Sequence, residues 1–262
     1  AALPEVHRAL LAGLSPLLHR AECFARATLR PHGFPGDYRT FELIYELESA
    51  PGTDETAGPL PNLLAYVFST IAATRGAWER RRAIARLIAR RLGAGPVRVL
   101  DVACGGARYL RDVLEPEGAA DGLEALCVDQ DAAAVAFLRR AAAGARGARI
   151  DVRCARLADL EPMIRGRRFD LAVVSGLTDY LDDAAARGLF ALLDAHLGEG
   201  GSIFTSNLTA AGDSPFVMEW IADWPIVYRG EAELRALVPE RLACAVQATR
   251  DGSLLLAEAS AR

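Results

Sequence analysis

Val97-Arg98-Val99-Leu100-Asp101-Val102-Ala103-Cys104-Gly105-Gly106-Ala107-Arg108-Tyr109-Leu110 is the stretch on which the reading of this chain turns. Val97 to Val102 is an apolar, β-branched run, suited to a strand covered on both faces. A turn of small residues and the first turn of a helix follow. Asp101 stands at the strand's carboxyl end, where open α/β sheets bind their ligands. Ala103, Gly105, Gly106 and Ala107 let a ligand approach the backbone closely. A dinucleotide fingerprint requires glycine at 103, 105 and 108, and here Ala103 and Arg108 occupy two of those places, which argues against NAD or FAD. The G-x-x-x-x-G-K-[ST] pattern that cradles nucleoside triphosphates is absent. An acidic strand end suits a ligand that carries an ammonium group.

Downstream of this stretch the pattern alternates. Strands are expected at 97–102, 123–129, 150–154, 169–174 and 202–207, with helices at about 107–115, 132–143 and 180–197. Short helices at 215–221 and 231–237 come next. Two last strands, 242–249 and 253–259, flank Asp251-Gly252, a hairpin signal. Alternation of this kind predicts an α/β fold: a doubly wound, Rossmann-like, seven-stranded sheet that is mostly parallel and ends in an antiparallel hairpin. Upstream, Leu3, Val6, Leu10, Leu14 and Leu17 recur at helical spacing, and one helix is expected over 3–30. Pro31 stops it. A Pro- and Gly-rich loop to Gly36 leads to Asp37, a candidate cap for a helix from Tyr38. Two more helices are expected from Pro61 to Leu92, the second dense in Arg and read as a solvated basic face over an apolar stripe. Residues 1–93 are therefore expected to form a helical N-terminal cap, and 94–262 the ligand-binding domain.

The 262 residues are 52% hydrophobic, enough for a sizeable core, and carry a net charge of -4. That balance gives no footprint for nucleic acid. Every one of the 30 basic residues is Arg, which with the richness in Ala reads as codon bias. No apolar run approaches the roughly 20 residues of a membrane span, and no leader is evident, so a cytoplasmic location is expected. The five cysteines form no C-x-x-C and have no His at ligand spacing, so no metal is expected. Cys127 and Cys154 are read as small strand hydrophobes.

The stretch at 101–107 resembles motif I of class I S-adenosylmethionine (SAM)-dependent methyltransferases, [DE]-x-G-x-G-x-G, with Ala103 and Ala107 replacing two glycines. The resemblance implies SAM as cofactor and S-adenosylhomocysteine (SAH) as product. Asp101, Ala103 and Gly105 would then face the cofactor. Asp129, ending the second strand 28 positions after Asp101, is placed to accept from the ribose hydroxyls, with Gln130 beside it. Asp131 better suits the N-cap of the next helix. Arg156 and Leu157 follow the third strand, where the adenine usually lies. Ser175 and Gly176 should line the sulfonium region. Tyr180 and Asp179 can orient an acceptor, although Asp179 also suits a helix cap. Asn207, at the end of the fifth strand, can bond an acceptor atom or simply form a turn. Trp220, Trp224, Tyr228 and Arg229 can wall an apolar pocket and bind an anion at its mouth, or pack an amphipathic helix on the sheet.

Several stretches together are similar to a bacterial methyltransferase subfamily that includes the 3-hydroxypalmitic acid methyl ester biosynthesis proteins. They are Gly33-Phe-Pro-Gly-Asp37-Tyr38 with Ile44-Tyr45, Leu100-Asp-Val-Ala-Cys-Gly105, Asp129-Gln-Asp131, Gly176-Leu-Thr-Asp179-Tyr180-Leu181, Asn207, and Met218-Glu-Trp220 through Asp223-Trp224 to Tyr228-Arg229. This resemblance implies that the N-terminal region covers the site, and Asp37 and Tyr38 join the cofactor-binding candidates. The acceptor is expected to be a small, largely apolar molecule methylated on a carboxylate or hydroxyl. Among the four histidines only His32, beside the Gly-Pro loop, is placed to act as a base. Other sulfonium chemistry, such as cyclopropane ring closure, and a non-catalytic partner subunit are the alternatives.

Overall fold

The computed structural model describes residues 2–115 and 120–261. Residues 1, 116–119 and 262, which fall in the two expected segments, lie outside the described residues. Seven strands form one sheet: β1 (Val97–Val102), β2 (Leu123–Asp129), β3 (Arg149–Cys154), β4 (Phe169–Val174), β5 (Leu197–Leu208), β6 (Leu242–Ala248) and β7 (Leu254–Ala261). Their order is β3-β2-β1-β4-β5-β7-β6, with only β7 antiparallel to its neighbours. The order reverses between β1 and β4, so their carboxyl ends splay apart and open the crevice in which ligands bind. This is the doubly wound fold read from the alternation. Five helices lie among the strands, α6 (Arg108–Leu114), α7 (Ala132–Ala142), α8 (Leu160–Ile164), α9 (Asp183–Asp194) and α10 (Glu231–Arg235). Asp131 and Asp182 cap α7 and α9 by accepting from Ala133 N and Ala185 N. Asp179 caps nothing.

Five helices precede the sheet: α1 (Ala2–Leu18), α2 (Glu22–Leu29), α3 (Tyr38–Glu46), α4 (Pro59–Thr70) and α5 (Ala72–Leu92). The single helix expected over 3–30 is broken at His19–Ala21. The break lets Phe24 turn its ring edge-on to Phe68 of α4, centroids 5.0 Å apart, inside a core shared by α2, α3 and α4. α5 differs from the helices before it. Ile84, Leu87 and Ile88 are fully buried with Val97, Val99, Leu123 and Phe204 in the core on one face of the sheet. The solvated basic face expected for α5 carries Arg75, Arg82, Arg86 and Arg90, and Arg80 is its one buried exception, at only 4% exposed.

Two local expectations shift. Gly198, Gly200 and Gly201 were expected to precede the fifth strand; they lie within β5, where the pairing of Leu197 with Phe169 and of Ser202 with Leu171 marks a bulge. Residues 216–221 wind as a π-helical turn, with Ala222 N donating to Val217 O at 2.9 Å. Cys154, on the edge strand β3, is exposed, not buried. No helix among the described residues is long and apolar enough to cross a membrane.

Candidate active site

A cavity of about 440 Å³ opens at the carboxyl ends of β1, β2 and β4. Its floor is the turn from Val102 to Ala107. Ala103, Gly105 and Ala107 all take left-handed φ values, 56°, 54° and 42°. Alternation of this kind turns successive backbone groups toward the cavity, and in two of the three places the chain accepts the steric cost of a Cβ there. Asp129 forms one wall. Its Oδ2 accepts from Gly105 N and its Oδ1 from Asp131 N, each at 2.8 Å. Both bonds fix the carboxylate, and each oxygen keeps a lone pair for the cavity. Burial pushes the Asp129 pKa up, with the two backbone N–H groups opposing that shift. Gln130, Leu157, Ser175, Gly176 and Tyr180 line the same space.

The N-terminal helices supply the roof. Asp37 caps α3 by accepting from Thr40 N at 2.7 Å and is bound by Arg26 through both oxygens at 3.0 and 2.9 Å. It is fully buried and does not line the cavity; it fixes the loop that does. Tyr38 projects over Gly105, its ring 5.2 Å from Phe137. Gly36 touches Tyr180: a Cβ there would sit 2.5 Å from the Tyr180 hydroxyl and 2.7 Å from the Trp224 ring. The Tyr180 hydroxyl accepts from Trp224 Nε1 at 2.7 Å, while its ring faces the open cavity. His32 lies to the side, its Nδ1 2.9 Å from Asp131 Oδ2, so the loop is tied to α7.

Asp101 sits beneath the floor. Both of its oxygens receive the Tyr109 hydroxyl, at 2.7 and 2.8 Å. Burial raises its pKa to about 7; Tyr109 opposes the shift and Asp129 adds to it. Neither Asp101 nor Arg156 lines the cavity. Asn207 is fully buried, with Nδ2 donating to Val227 O and Leu208 O and Oδ1 accepting from Arg229. Arg229 places all five N–H donors on protein acceptors: Asp183 Oδ1 twice, Thr178 O, Asn207 Oδ1 and Leu181 O. The expectation that Arg229 meets an anion at a pocket mouth is therefore corrected, since no donor is left. The expectation for Asn207 is corrected on the same ground. Trp220 packs on His7 of α1, centroids 5.2 Å apart, and Tyr228 is half-buried outside the cavity.

A second, smaller cavity of about 50 Å³ adjoins the first and shares Phe41, Arg80, Gly176 and Tyr180 with it. Ile44, Phe68, Met218, Trp224 and Leu254 make it apolar. Asp179 is buried at its edge, with Oδ1 accepting from Leu208 N at 2.8 Å. Burial raises the Asp179 pKa to about 6, against the pull of Arg80 and Arg229. The motif search passed over Glu42, Arg80 and Tyr109. Glu42, buried on α3, binds Arg111 at 2.9 Å and Arg108 at 3.3 Å beside Gly106.

Residues 99–201 match the family described as Methyltransferase domain. No curated protein sequence matches the chain. In structure, the chain is similar to a possible exported protein from Bordetella parapertussis at 21% identity and TM-score 0.66, covering 98% of each chain. Magnesium protoporphyrin IX methyltransferase from Synechocystis PCC 6803 with bound SAH shows 14% identity and TM-score 0.55, over 74% of this chain and 88% of that one. The N-methyltransferase NodS from Bradyrhizobium japonicum WM9 in complex with SAH shows 18% identity and TM-score 0.51, over 84% and 98%. The match assigns a methyltransferase domain to residues 99–201, and the similar structures share the doubly wound, Rossmann-like fold of the whole sheet.

Proposed function

We propose that the enzyme moves a methyl group from SAM to a carboxylate or hydroxyl of a small, largely apolar acceptor and releases SAH. The observation that carries the reading is the Asp129 carboxylate, fixed by Gly105 N and Asp131 N at the carboxyl end of β2 with one lone pair on each oxygen toward the cavity. That geometry suits a vicinal diol such as ribose. The floor fits the rest of the group, since Ala103, Gly105 and Ala107 expose backbone to whatever lies on them. Two of the similar structures hold SAH. The finer resemblance to the 3-hydroxypalmitic acid methyl ester biosynthesis proteins supports a fatty or other apolar acid. Its stretches at 33–38 and 176–181 contribute to the roof and wall of the two cavities.

When bound, the donor supplies a sulfonium-activated methyl group. The chain's task is alignment and exclusion of water. Asp129 and Leu157 would hold the donor's nucleoside end. Ser175 and Gly176 face the region between the two cavities, and Gly176 allows close approach. The roof of Gly33, Phe34, Gly36 and Tyr38 closes the space against water, the role we assign to the N-terminal helices as a cap. No histidine lines either cavity among the described residues, and a carboxylate acceptor, already anionic, would react by alignment with no base. Calorimetric titration with SAM and with SAH tests the reading. Micromolar affinity for both is expected, and lack of affinity for either overturns it.

A further inference from the structure

Arg80 is buried on α5 where the two cavities meet. Every other well-buried arginine of the site has acceptors: Arg26 has Asp37, Arg111 has Glu42, and Arg229 has Asp183 with three further oxygens. Arg80 has one long contact, Nη1 to Ser206 Oγ at 3.4 Å, and its Nε has no partner. It closes no ion pair among the described residues. Its guanidinium lies over the Phe41 ring, 5.3 Å from the centroid, and against Gly176, where a Cβ would be 3.1 Å from Nη1. The Tyr45 hydroxyl is a further polar neighbour of Arg80, and the Asp179 carboxylate lies close enough to feel its charge. Asp179 already accepts from Leu208 N. A guanidinium held out of water with no hydrogen-bonded counter-charge is costly, and an incoming anion that pairs with it directly would offset that cost.

We propose that Arg80 is the specificity-determining residue of an acceptor chamber: its guanidinium receives the carboxylate of an acceptor whose apolar body lies among Phe41, Phe68, Met218, Trp224 and Leu254. The inference rests on the methyl-transfer reading above and assigns that reaction its acceptor end. One carboxylate oxygen stays on Arg80 while the other forms the O–CH3 bond. The S–CH3 bond breaks, and its electron pair returns to sulfur. Sulfonium and carboxylate charges cancel, so a neutral ester and a neutral thioether result and no proton moves. The ester can no longer pair with Arg80, which favours its release over that of unreacted acid.

The test is calorimetric titration of straight-chain carboxylic acids from acetate to dodecanoate, and of phenylacetate, with and without saturating SAH. Wild type, Arg80→Met and Arg80→Lys are compared. At least one acid is expected to bind wild type, with its methyl ester and its alcohol at least ~10-fold weaker. Arg80→Met should weaken the acid by ~30-fold or more and leave the ester unchanged, as loss of a charged hydrogen-bonding partner requires. Arg80→Lys should fall between the two. SAH and methylthioadenosine, which lacks the amino-acid end, should bind all three proteins alike. Arg80→Met should melt no lower than wild type, because it removes a buried cation that has no hydrogen-bonded counter-charge. The proposal is overturned if no acid binds wild type under either condition, or if Arg80→Met binds the acid as wild type does. It is also overturned if Arg80→Met weakens SAH but not methylthioadenosine, since the guanidinium would then hold the donor's own carboxylate. Failure of the donor reading looks different: neither SAH nor methylthioadenosine binds wild type, and the acid titration without SAH still decides the role of Arg80.

Discussion

Asp129→Asn separates what this carboxylate does for the fold from what it does for the ligand. The side chain keeps its volume, but an amide has only one acceptor oxygen. In the native structure Oδ2 serves Gly105 N and Oδ1 serves Asp131 N. Whichever way the amide turns, its NH2 faces one of these donors and leaves it unpaired, at a cost of about 1–3 kcal/mol. For a chain of this size that lowers Tm by about 2–12 °C. The ligand loses more specifically. Two ribose hydroxyls on a charged acceptor contribute about 1.5–3 kcal/mol each. Neutralising one oxygen and replacing the other should remove roughly 3 kcal/mol, on the order of 100-fold in Kd for SAH. Circular dichroism melts and calorimetry on the same preparation read the two effects. If the melt falls as expected while SAH affinity stays within about threefold of wild type, Asp129 serves the fold alone and the ribose assignment fails.

Asp101 carries a pH prediction. Its folded pKa of about 7 lies above the ordinary 3.8, so the folded state holds the proton longer and wild-type stability falls as pH rises between those values. Asp101→Asn lacks that loss. Its melting temperature relative to wild type should climb from pH 4 to 7 by the equivalent of up to about 4 kcal/mol and then level off. A gap that narrows over that range refutes the burial argument. Gly36→Ala places a methyl against the Tyr180 hydroxyl and the Trp224 ring. It should cost about 1–3 kcal/mol and change the tryptophan emission, whereas an unchanged spectrum and melt would show that the loop has room to shift. Arg229→Met breaks five hydrogen bonds and leaves Asp183, Asn207 and two carbonyls without their donor. A loss of about 3–5 kcal/mol with unaltered SAH affinity is expected, and a stable variant that loses only ligand would contradict the structural role. Ala103→Gly relieves a left-handed Cβ at φ 56°. After the entropy of glycine is offset, it should gain roughly 0.5–1 kcal/mol, readable as a higher urea midpoint.

The fold was legible because its signals are local. The run at Val97–Val102 and the small-residue turn after it set strand, loop and helix, and the Asp251-Gly252 hairpin set the antiparallel edge. Asp37 and Asp131 were legible as caps because capping depends on the next three residues alone. The lining of the cavity was legible mostly where strand ends and the turns after them carry it, at Gly105, Asp129, Ser175 and Gly176, with Tyr38 reached only through the resemblance. Arg229 and Asn207 look like ligand-binding types in sequence, and only their partners, about 20 to 50 positions away, show that their bonding capacity is already satisfied. Arg80 failed in the opposite direction. It is one of many arginines on α5, and although its spacing from Ala77 and Ile84 puts it on the buried stripe, nothing in the sequence shows that no carboxylate meets it there. Periodicity gives the face of a helix, but not what covers that face.

The packing of α5 has a kinetic consequence. Ser253 Oγ donates to Ala72 O, and Arg91 reaches Glu258 at 3.1 Å, contacts that span 181 and 167 positions. The helix closest to the start of the sheet is thus sealed by its last strand. During synthesis, Ile84, Leu87 and Ile88 emerge about 170 residues before β7 does and wait without their full cover. Such a chain has few early local rewards and a late, non-local closure, the combination that slows folding and exposes sticky intermediates. A nascent chain halted before Leu254 should remain a client of chaperones, with the side of α5 that β7 covers left open.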